Sequence, residues 1–193
     1  MGKTRLEAFS DGVIAILITI MVLELKVPPG DSGPLDDLRR LTPVFLSYIL
    51  SFVFLGIYWS NHHHLIHMCD RVTGPMLWAN LHLLFWLSLV PFTTHWLESQ
   101  HFAGLPTAIY GGVFLLAGVA WLILQRTIIS AQGRSSRLRE AVGRDVKGKL
   151  SAVMYAVAIG LAFVSVPVAI AIYVLVALLW LIPDRRIEKA IGR

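Results

Sequence analysis

Long apolar blocks recur along the chain and are separated by short polar segments. A helix needs about 20 apolar residues to cross a bilayer, because each residue rises about 1.5 Å and the hydrocarbon core is about 30 Å thick. The apolar pattern predicts six membrane-spanning helices, at residues 5–25, 42–66, 74–97, 106–129, 149–164 and 168–182.

The last apolar block, from Leu150 to Ile182, is too long for one span. Pro167 lies near its middle, and a proline inside a helix removes a backbone donor and interrupts the helix. We therefore expect two short helices joined at Ser165–Pro167, with one long kinked helix as the alternative. For the same reason, Pro91 predicts a kink near the outer end of the third helix.

Composition agrees with a membrane protein. Hydrophobic residues make up 56% of the chain and charged residues only 15%, whereas soluble domains carry about half and about a quarter. The one cysteine, Cys69, excludes an internal disulfide and a cysteine-based metal cluster. The sequence lacks a basic stripe with interleaved aromatic residues, so it does not indicate nucleic-acid binding. The sequence therefore predicts one all-α membrane domain over residues 1–193, and not an enzyme.

The distribution of positive charge predicts the orientation. If the N-terminus is cytoplasmic and six helices cross, fourteen of the seventeen Lys and Arg residues lie on the cytoplasmic side. Cytoplasmic loops are typically richer in these residues. We therefore expect both termini to be cytoplasmic in a multi-pass protein of the cell membrane. The Pro- and Gly-rich first loop is expected outside, and the basic segment 132–148 is expected to be a cytoplasmic connector.

Polar residues inside the spans gather near one end. Ionisable groups are costly in hydrocarbon and usually mark an ion pathway or a buried network. The predicted topology brings three such groups to the cytoplasmic side. They are Arg5, Ser10 and Asp11 in the first helix, Asn61, His62, His63, His64 and His67 in the second, and Asn80 and His82 in the third.

Helical geometry separates Asp11 from an apolar stripe on the first helix. At about 100° per residue, one face carries Phe9, Gly12, Ile16, Thr19, Ile20 and Leu23. Asp11 lies on another face, about 140° from Ile16. Asp11 is either an ion ligand in a pathway or a member of a buried network, and its angle favours the network.

Several of these residues form a recognisable pattern. Residues 5–12, Arg-Leu-Glu-Ala-Phe-Ser-Asp-Gly, match an R-x-x-x-F-S-D-G signature, and residues 59–63, Trp-Ser-Asn-His-His, match W-x-N-H-H. Asn80 and the Pro91-Phe92 pair support the match in the third helix. The chain resembles the bacterial and archaeal branch of the lysosomal potassium channel family called transmembrane protein 175.

This resemblance implies a homotetramer of six-helix subunits that conducts potassium ions passively through a central pore. The first helix of each subunit is expected to line that pore. The matching constriction residues are Ile16, Ile20 and Leu23, with Thr19 in a polar layer beside them. A ring of apolar side chains implies a modest preference for potassium over sodium. No cofactor is expected, and the permeant potassium ion and the lipid bilayer are the expected partners.

The same resemblance implies a structural polar network. Its members are Arg5, Ser10, Asp11, Trp59, Asn80 and either His62 or His63, and the sequence leaves the choice of histidine open. A proton-coupled secondary transporter that uses Asp11 and the histidines is the alternative function. A metal-handling protein is another alternative, because His63 and His67 are four residues apart on a helix, but we assign no metal site.

Overall fold

The computed structural model describes residues 2–26, 33–69, 71–132 and 145–181, and all regular structure in these ranges is helical. The helices are α1 (Lys3–Ile20), α2 (Pro34–His67), α3 (Gly74–Ser88), α4 (Val90–Ser99), α5 (Gly104–Gln132), α6 (Val146–Leu161) and α7 (Val166–Leu181). A 3-10 turn, Met21–Glu24, extends α1. Most of the predicted first loop, most of the basic connector and the tail after residue 181 lie outside the described residues.

The prediction of an all-helical membrane protein is confirmed. Among the described residues, four segments are long and apolar enough to cross a bilayer: Lys3–Glu24, Leu35–His67, Gly74–Ser99 and Gly104–Gln132. The last two helices, α6 and α7, have 16 residues each.

The second helix is longer than its apolar block. It begins at Pro34, not near Thr42, and continues through Pro43. Its first turn carries Asp36 and Asp37, and acidic side chains there interact favourably with the helix dipole. These polar residues stabilise the start of the helix. A prediction based on apolar runs misses the first two turns because they are polar.

The predicted third helix is divided into α3 and α4 at Leu89. Pro91 follows two residues later and has no N–H with which to bond the preceding turn. At the break, the Leu89 amide bonds the Trp86 carbonyl at 3.2 Å, which is a tighter 3-10 step. The kink therefore lies where Pro91 predicts it.

The final apolar block forms two helices that pack against each other, and not one kinked helix. The turn between them is Ala162–Ser165, so Pro167 lies in the first turn of α7. Proline is well tolerated there, since the first amides of a helix have no partner within it.

The fifth helix is the centre of the subunit, since it contacts α3, α4, α6 and α7. Around it the rings of Phe54, Tyr110, Phe114, Tyr155 and Tyr173 form a connected aromatic cluster with centroid separations of 4.3–6.4 Å. This cluster joins α2, α5, α6 and α7 on the side that leaves α1 to pack on α2 and α3.

One glycine of α5 is required by close packing. A Cβ atom at Gly111 would lie 2.0 Å from the hydroxyl oxygen of Tyr173. That hydroxyl donates a hydrogen bond to the Thr107 carbonyl at 3.1 Å, which fixes the ring against α5. By contrast, Gly112 has no atom within 4 Å of such a Cβ among the described residues, so no close packing requires a glycine there.

Candidate functional site

The first helix has one buried face and one exposed face. Its buried residues are Leu6, Ser10, Ile14 and Leu17. The spacing of three and four residues places them on one side of a helix, where they meet α2 and α3. No element among the described residues of the subunit covers the opposite side.

The exposed face carries the stripe of residues that helical geometry groups together. In one subunit Ile16 is 57% exposed, Ile20 41% and Leu23 78%. Phe9, Gly12 and Thr19 are exposed on the same stripe. The same helix therefore carries an uncovered apolar stripe opposite a buried face that includes the polar Ser10.

Thr19 presents an oxygen within this stripe. Its hydroxyl lies 3.0 Å from the carbonyl oxygens of Ala15 and Ile16, so its proton is donated back to its own helix. The lone pairs of Oγ1 are then directed away from the helix carbonyls. The Thr19 oxygen can therefore accept a hydrogen bond or coordinate an ion beside the apolar side chains.

A buried chain of hydrogen bonds joins the other face of α1 to its neighbours. The His62 Nε2 and Asn80 Oδ1 atoms are 2.7 Å apart, and Asn80 Nδ2 donates to Ser10 Oγ at 2.9 Å. The Ser10 hydroxyl donates in turn to the Leu6 carbonyl at 2.9 Å. All three linked side chains are fully buried. These hydrogen bonds connect α1 to α3, and α3 to α2.

The direction of these hydrogen bonds determines the tautomer of His62. Asn80 uses its amide nitrogen toward Ser10, so its oxygen must accept, and the proton of His62 lies on Nε2. The buried Nδ1 atom has no hydrogen-bond partner among the described residues. The geometry therefore fits a neutral imidazole.

Asp11 makes a separate contact. Its carboxylate accepts a hydrogen bond of 3.0 Å from the Trp59 indole of α2. Asp11 is half-buried, and its side chain is directed at α2 and not along the exposed stripe. The observed position is that of a residue holding α1 against its own subunit.

The structure does not place all the expected network residues together. His63 pairs with Glu7 at 2.7 Å between Nδ1 and Oε1, outside the buried chain. Arg5 is exposed and makes no hydrogen bond or ion pair with any residue that the structure describes. His62 is therefore the histidine of the buried chain, Glu7 is an additional partner, and Arg5 is apart from both within one subunit.

A second polar group, at the other end of α1, was not expected from the sequence. The His95 Nδ1 and Glu24 Oε2 atoms are 3.2 Å apart, and Ser47 is hydrogen-bonded to Glu98. The sequence does contain an indication of this polar group, because Glu24, His95 and Glu98 all lie near the ends of predicted spans on one side of the membrane. Their pairing depends on how α4 packs against α1, which the sequence does not give.

The histidine-rich end of α2 does not assemble a metal site. The rings of His63 and His67 stack with centroids 6.1 Å apart. Within the described parts of the chain, no three His, Cys, Asp or Glu side chains are grouped to hold one ion. The geometry gives no specific support to a metal-handling function.

Comparison with known proteins points in one direction. A family model described as the endosomal/lysosomal potassium channel TMEM175 matches residues 5–91. A protein of Chryseobacterium sp. (strain P1-3), named a potassium channel, is 52% identical over 191 residues that cover 99% of this chain and 98% of the relative. A Streptomyces collinus protein, also named a potassium channel, is 33% identical over 90% of this chain and 89% of its own.

A solved structure gives the same result. The crystal structure of a lysosomal potassium-selective channel TMEM175 homolog from Chamaesiphon minutus superposes with a TM-score of 0.84 and 28% sequence identity. The match covers 94% of this chain and 97% of the crystallised chain. Similarity therefore extends over almost the whole fold, including α6 and α7.

Proposed function

The chain belongs to the TMEM175 potassium channel family, and from this premise we propose that it forms a homotetrameric channel whose pore is lined by α1. Potassium ions would pass without a coupled reaction. The family consists of ion channels and not enzymes, so no catalytic residue is assigned. The potassium ion is the permeant substrate, and its passive conduction involves no chemical reaction. The proposal therefore requires no cofactor.

The observation that carries this proposal is the division of α1 into two faces. Ser10 and Asp11 hold one face to α2 and α3, while the stripe around Ile16 is uncovered. Four stripes meeting at a symmetry axis would cover these side chains and leave a narrow passage between them. The hydrogen bonds on the opposite face would keep each α1 in a fixed orientation toward the axis.

The proposed constriction is formed by Ile16, Ile20 and Leu23. Rings of apolar side chains gate by dewetting, because water leaves a narrow passage that offers no hydrogen bonds. An ion must lose part of its hydration to pass, and potassium loses water more easily than sodium. The Thr19 oxygen supplies a polar layer between these rings, which supports a modest preference for potassium.

The polar groups behind the stripe are proposed to be structural. The chain from His62 through Asn80 to Ser10 is buried, and the bond between Asp11 and Trp59 is directed away from the stripe. Within a tetramer these contacts would connect any rotation of α1 to α2 and α3. Both termini are proposed to be cytoplasmic in a cell-membrane protein, on the basis of the Lys and Arg distribution.

Recording from purified protein in a planar lipid bilayer tests the proposal. Unitary potassium currents are expected, whereas slow saturable flux would support a carrier and the absence of flux a protein without transport activity. A cysteine scan then tests which residues face the pore, in a chain where buried Cys69 is first replaced by serine.

Ile16→Cys and Ile14→Cys form a matched pair for that scan. Ile16 is 57% exposed on the stripe, while Ile14 is fully buried on the opposite face two residues away. A small charged thiol reagent should block current through Ile16→Cys and leave Ile14→Cys unaffected. Failure to modify Ile16→Cys in conducting channels would remove α1 from the pore.

A further inference from the structure

An open cavity lies between α2, α5, α6 and α7, and its empty space of about 650 Å³ includes space that is continuous with the surroundings of the protein. Its walls include Tyr58 of α2, Gly118 and Val119 of α5, and Tyr155 of α6. It opens at the protein surface, since Val119 is 42% exposed. No described residue of α1 lines it, so it is separate from the proposed pore.

The cavity is apolar at one end and polar at the other. Phe54, Leu115 and Tyr155 form its apolar end near the middle of their helices. Asn61 and Ser151 form its polar end, where α2 and α5 approach their last turns and α6 begins. Such a gradient along the membrane normal matches an amphipathic molecule oriented like a bilayer lipid.

A missing side chain keeps the cavity open. The nearest atom to a Cβ built at Gly118 is the Tyr58 hydroxyl oxygen, at 4.0 Å. Gly118 therefore borders empty space, unlike Gly111, two turns earlier on the same helix, where Tyr173 fills the corresponding space.

Two cations continue the walls beyond the polar end. Arg126 follows Leu122 of the α5 wall by four residues, and Lys147 precedes Ser151 of the α6 wall by four residues. Residues four apart share a helix face, so both helices place a positive charge above the cavity. Lys149 is two residues from Ser151 and lies on another face of α6.

We infer that this cavity binds an acyl chain of an anionic phospholipid, with the lipid phosphate held between Arg126 and Lys147. Basic pockets between membrane helices recognise anionic headgroups by charge, and the apolar cavity supplies the matching site for the chain. Tyr58 and Asn61 are neighbours of Trp59 and His62 in α2. The bound lipid therefore contacts the helix that holds α1 in place, without entering the pore.

Native mass spectrometry of the full-length protein tests the inference and needs no channel activity. The protein is purified in detergent and exposed to phosphatidylglycerol or to phosphatidylcholine with identical acyl chains. The wild type should retain phosphatidylglycerol preferentially. Equal retention of the two lipids would overturn the inference, since the cations would then contribute nothing.

Charge variants locate the headgroup. Arg126→Gln and Lys147→Gln should each weaken retention of phosphatidylglycerol about fivefold, the effect of one basic residue at a membrane surface. Retention of phosphatidylcholine should not change. Lys149→Gln removes the same charge from another face of α6 and should behave as wild type. If Lys149→Gln loses as much preference as Lys147→Gln, the headgroup site is wrong.

Cavity-filling variants locate the chain. Gly118→Leu should abolish retention of both lipids, while Gly160→Leu, at an exposed α6 glycine with no atom near its Cβ, should retain them normally. Ala152→Met fills the opposite wall and provides a second test if Gly118→Leu fails to fold, as judged by gel filtration. Normal retention by a folded Gly118→Leu or Ala152→Met protein would exclude this cavity.

Discussion

The side-chain amide of Asn80 donates a hydrogen bond to the Ser10 hydroxyl at 2.9 Å, and both residues are fully buried. This contact connects α3 to the same helix that carries the uncovered apolar stripe. A buried polar contact of this kind fixes orientation, because rotation of α1 leaves the Asn80 amide without its acceptor. The proposed pore geometry therefore depends on residues that never face the ions.

Ser10→Ala should destabilise the protein. The substitution removes the acceptor of the Asn80 amide and leaves that group buried without a partner, which costs about 1–3 kcal/mol. The apparent unfolding midpoint in detergent should fall. Ser88→Ala is the matched control, because the exposed Ser88 hydroxyl bonds only to the Phe85 carbonyl of its own helix. Equal shifts for the two variants would contradict a structural role for Ser10.

Asp11 and Trp59 can be tested as a pair. Asp11→Asn keeps an oxygen acceptor for the indole and should leave unitary potassium conductance near that of the wild type. Trp59→Phe removes the donor and should destabilise the assembly by about 1 kcal/mol, since the contact is partly exposed. Asp11→Ala should damage assembly or gating.

The pair also separates two roles for Asp11. An ion ligand in the pore would lose conductance in Asp11→Asn, whatever residue occupies position 59. A large loss of conductance in Asp11→Asn, with little effect of Trp59→Phe, would place the carboxylate in the ion pathway. Single-channel recording of both variants provides the comparison.

Thr19→Val should reduce selectivity. The substitution keeps the shape of the side chain but removes the oxygen that Thr19 presents beside the apolar rings, so the potassium-to-sodium permeability ratio should move toward one. Thr19→Ser restores an oxygen and should keep the ratio. Reversal potentials under bi-ionic conditions measure this difference. An unchanged ratio in Thr19→Val would remove Thr19 from the selectivity mechanism.

Ile16→Asn should change conduction itself. A polar amide in each copy of the proposed ring offers hydrogen bonds to water and reduces dewetting, so unitary conductance should rise and selectivity should fall. Val153→Asn places the same side chain on an exposed position of α6 and should leave conduction unchanged. The opposite pattern, with only Val153→Asn altering current, would assign the pore to other helices.

Helical geometry groups the stripe residues of α1 on one face, and the resemblance to the channel family predicts that this face lines the pore. The stripe from Phe9 to Ile20 depends only on the regular helix between them, and Leu23 lies in the 3-10 turn that follows. The choice between His62 and His63 could not be predicted, since these neighbours lie about 100° apart and the outcome depends on the rotation of α2. His62 meets Asn80, while His63 meets Glu7.

Long-range packing also accounts for the other differences. Arg5 belongs to the same motif as Ser10, but its side chain lies on an exposed part of α1. The contact of Glu24 with His95 depends on the position of α4 after the break at Leu89. Each of these relationships depends on tertiary contacts, which the local sequence pattern does not predict.

The short lengths of α6 and α7 have a mechanical consequence. Sixteen helical residues span about 24 Å, whereas Lys3–Glu24 is long enough to cross the bilayer. Over the described residues, the shorter apolar length lies on the side of the subunit formed by α6 and α7, where mismatch with a bilayer costs a fraction of a kcal/mol per ångström. A change in membrane thickness should therefore act first on this pair, which is connected to α1 by α5 and α3 and by the contact of α7 with α2.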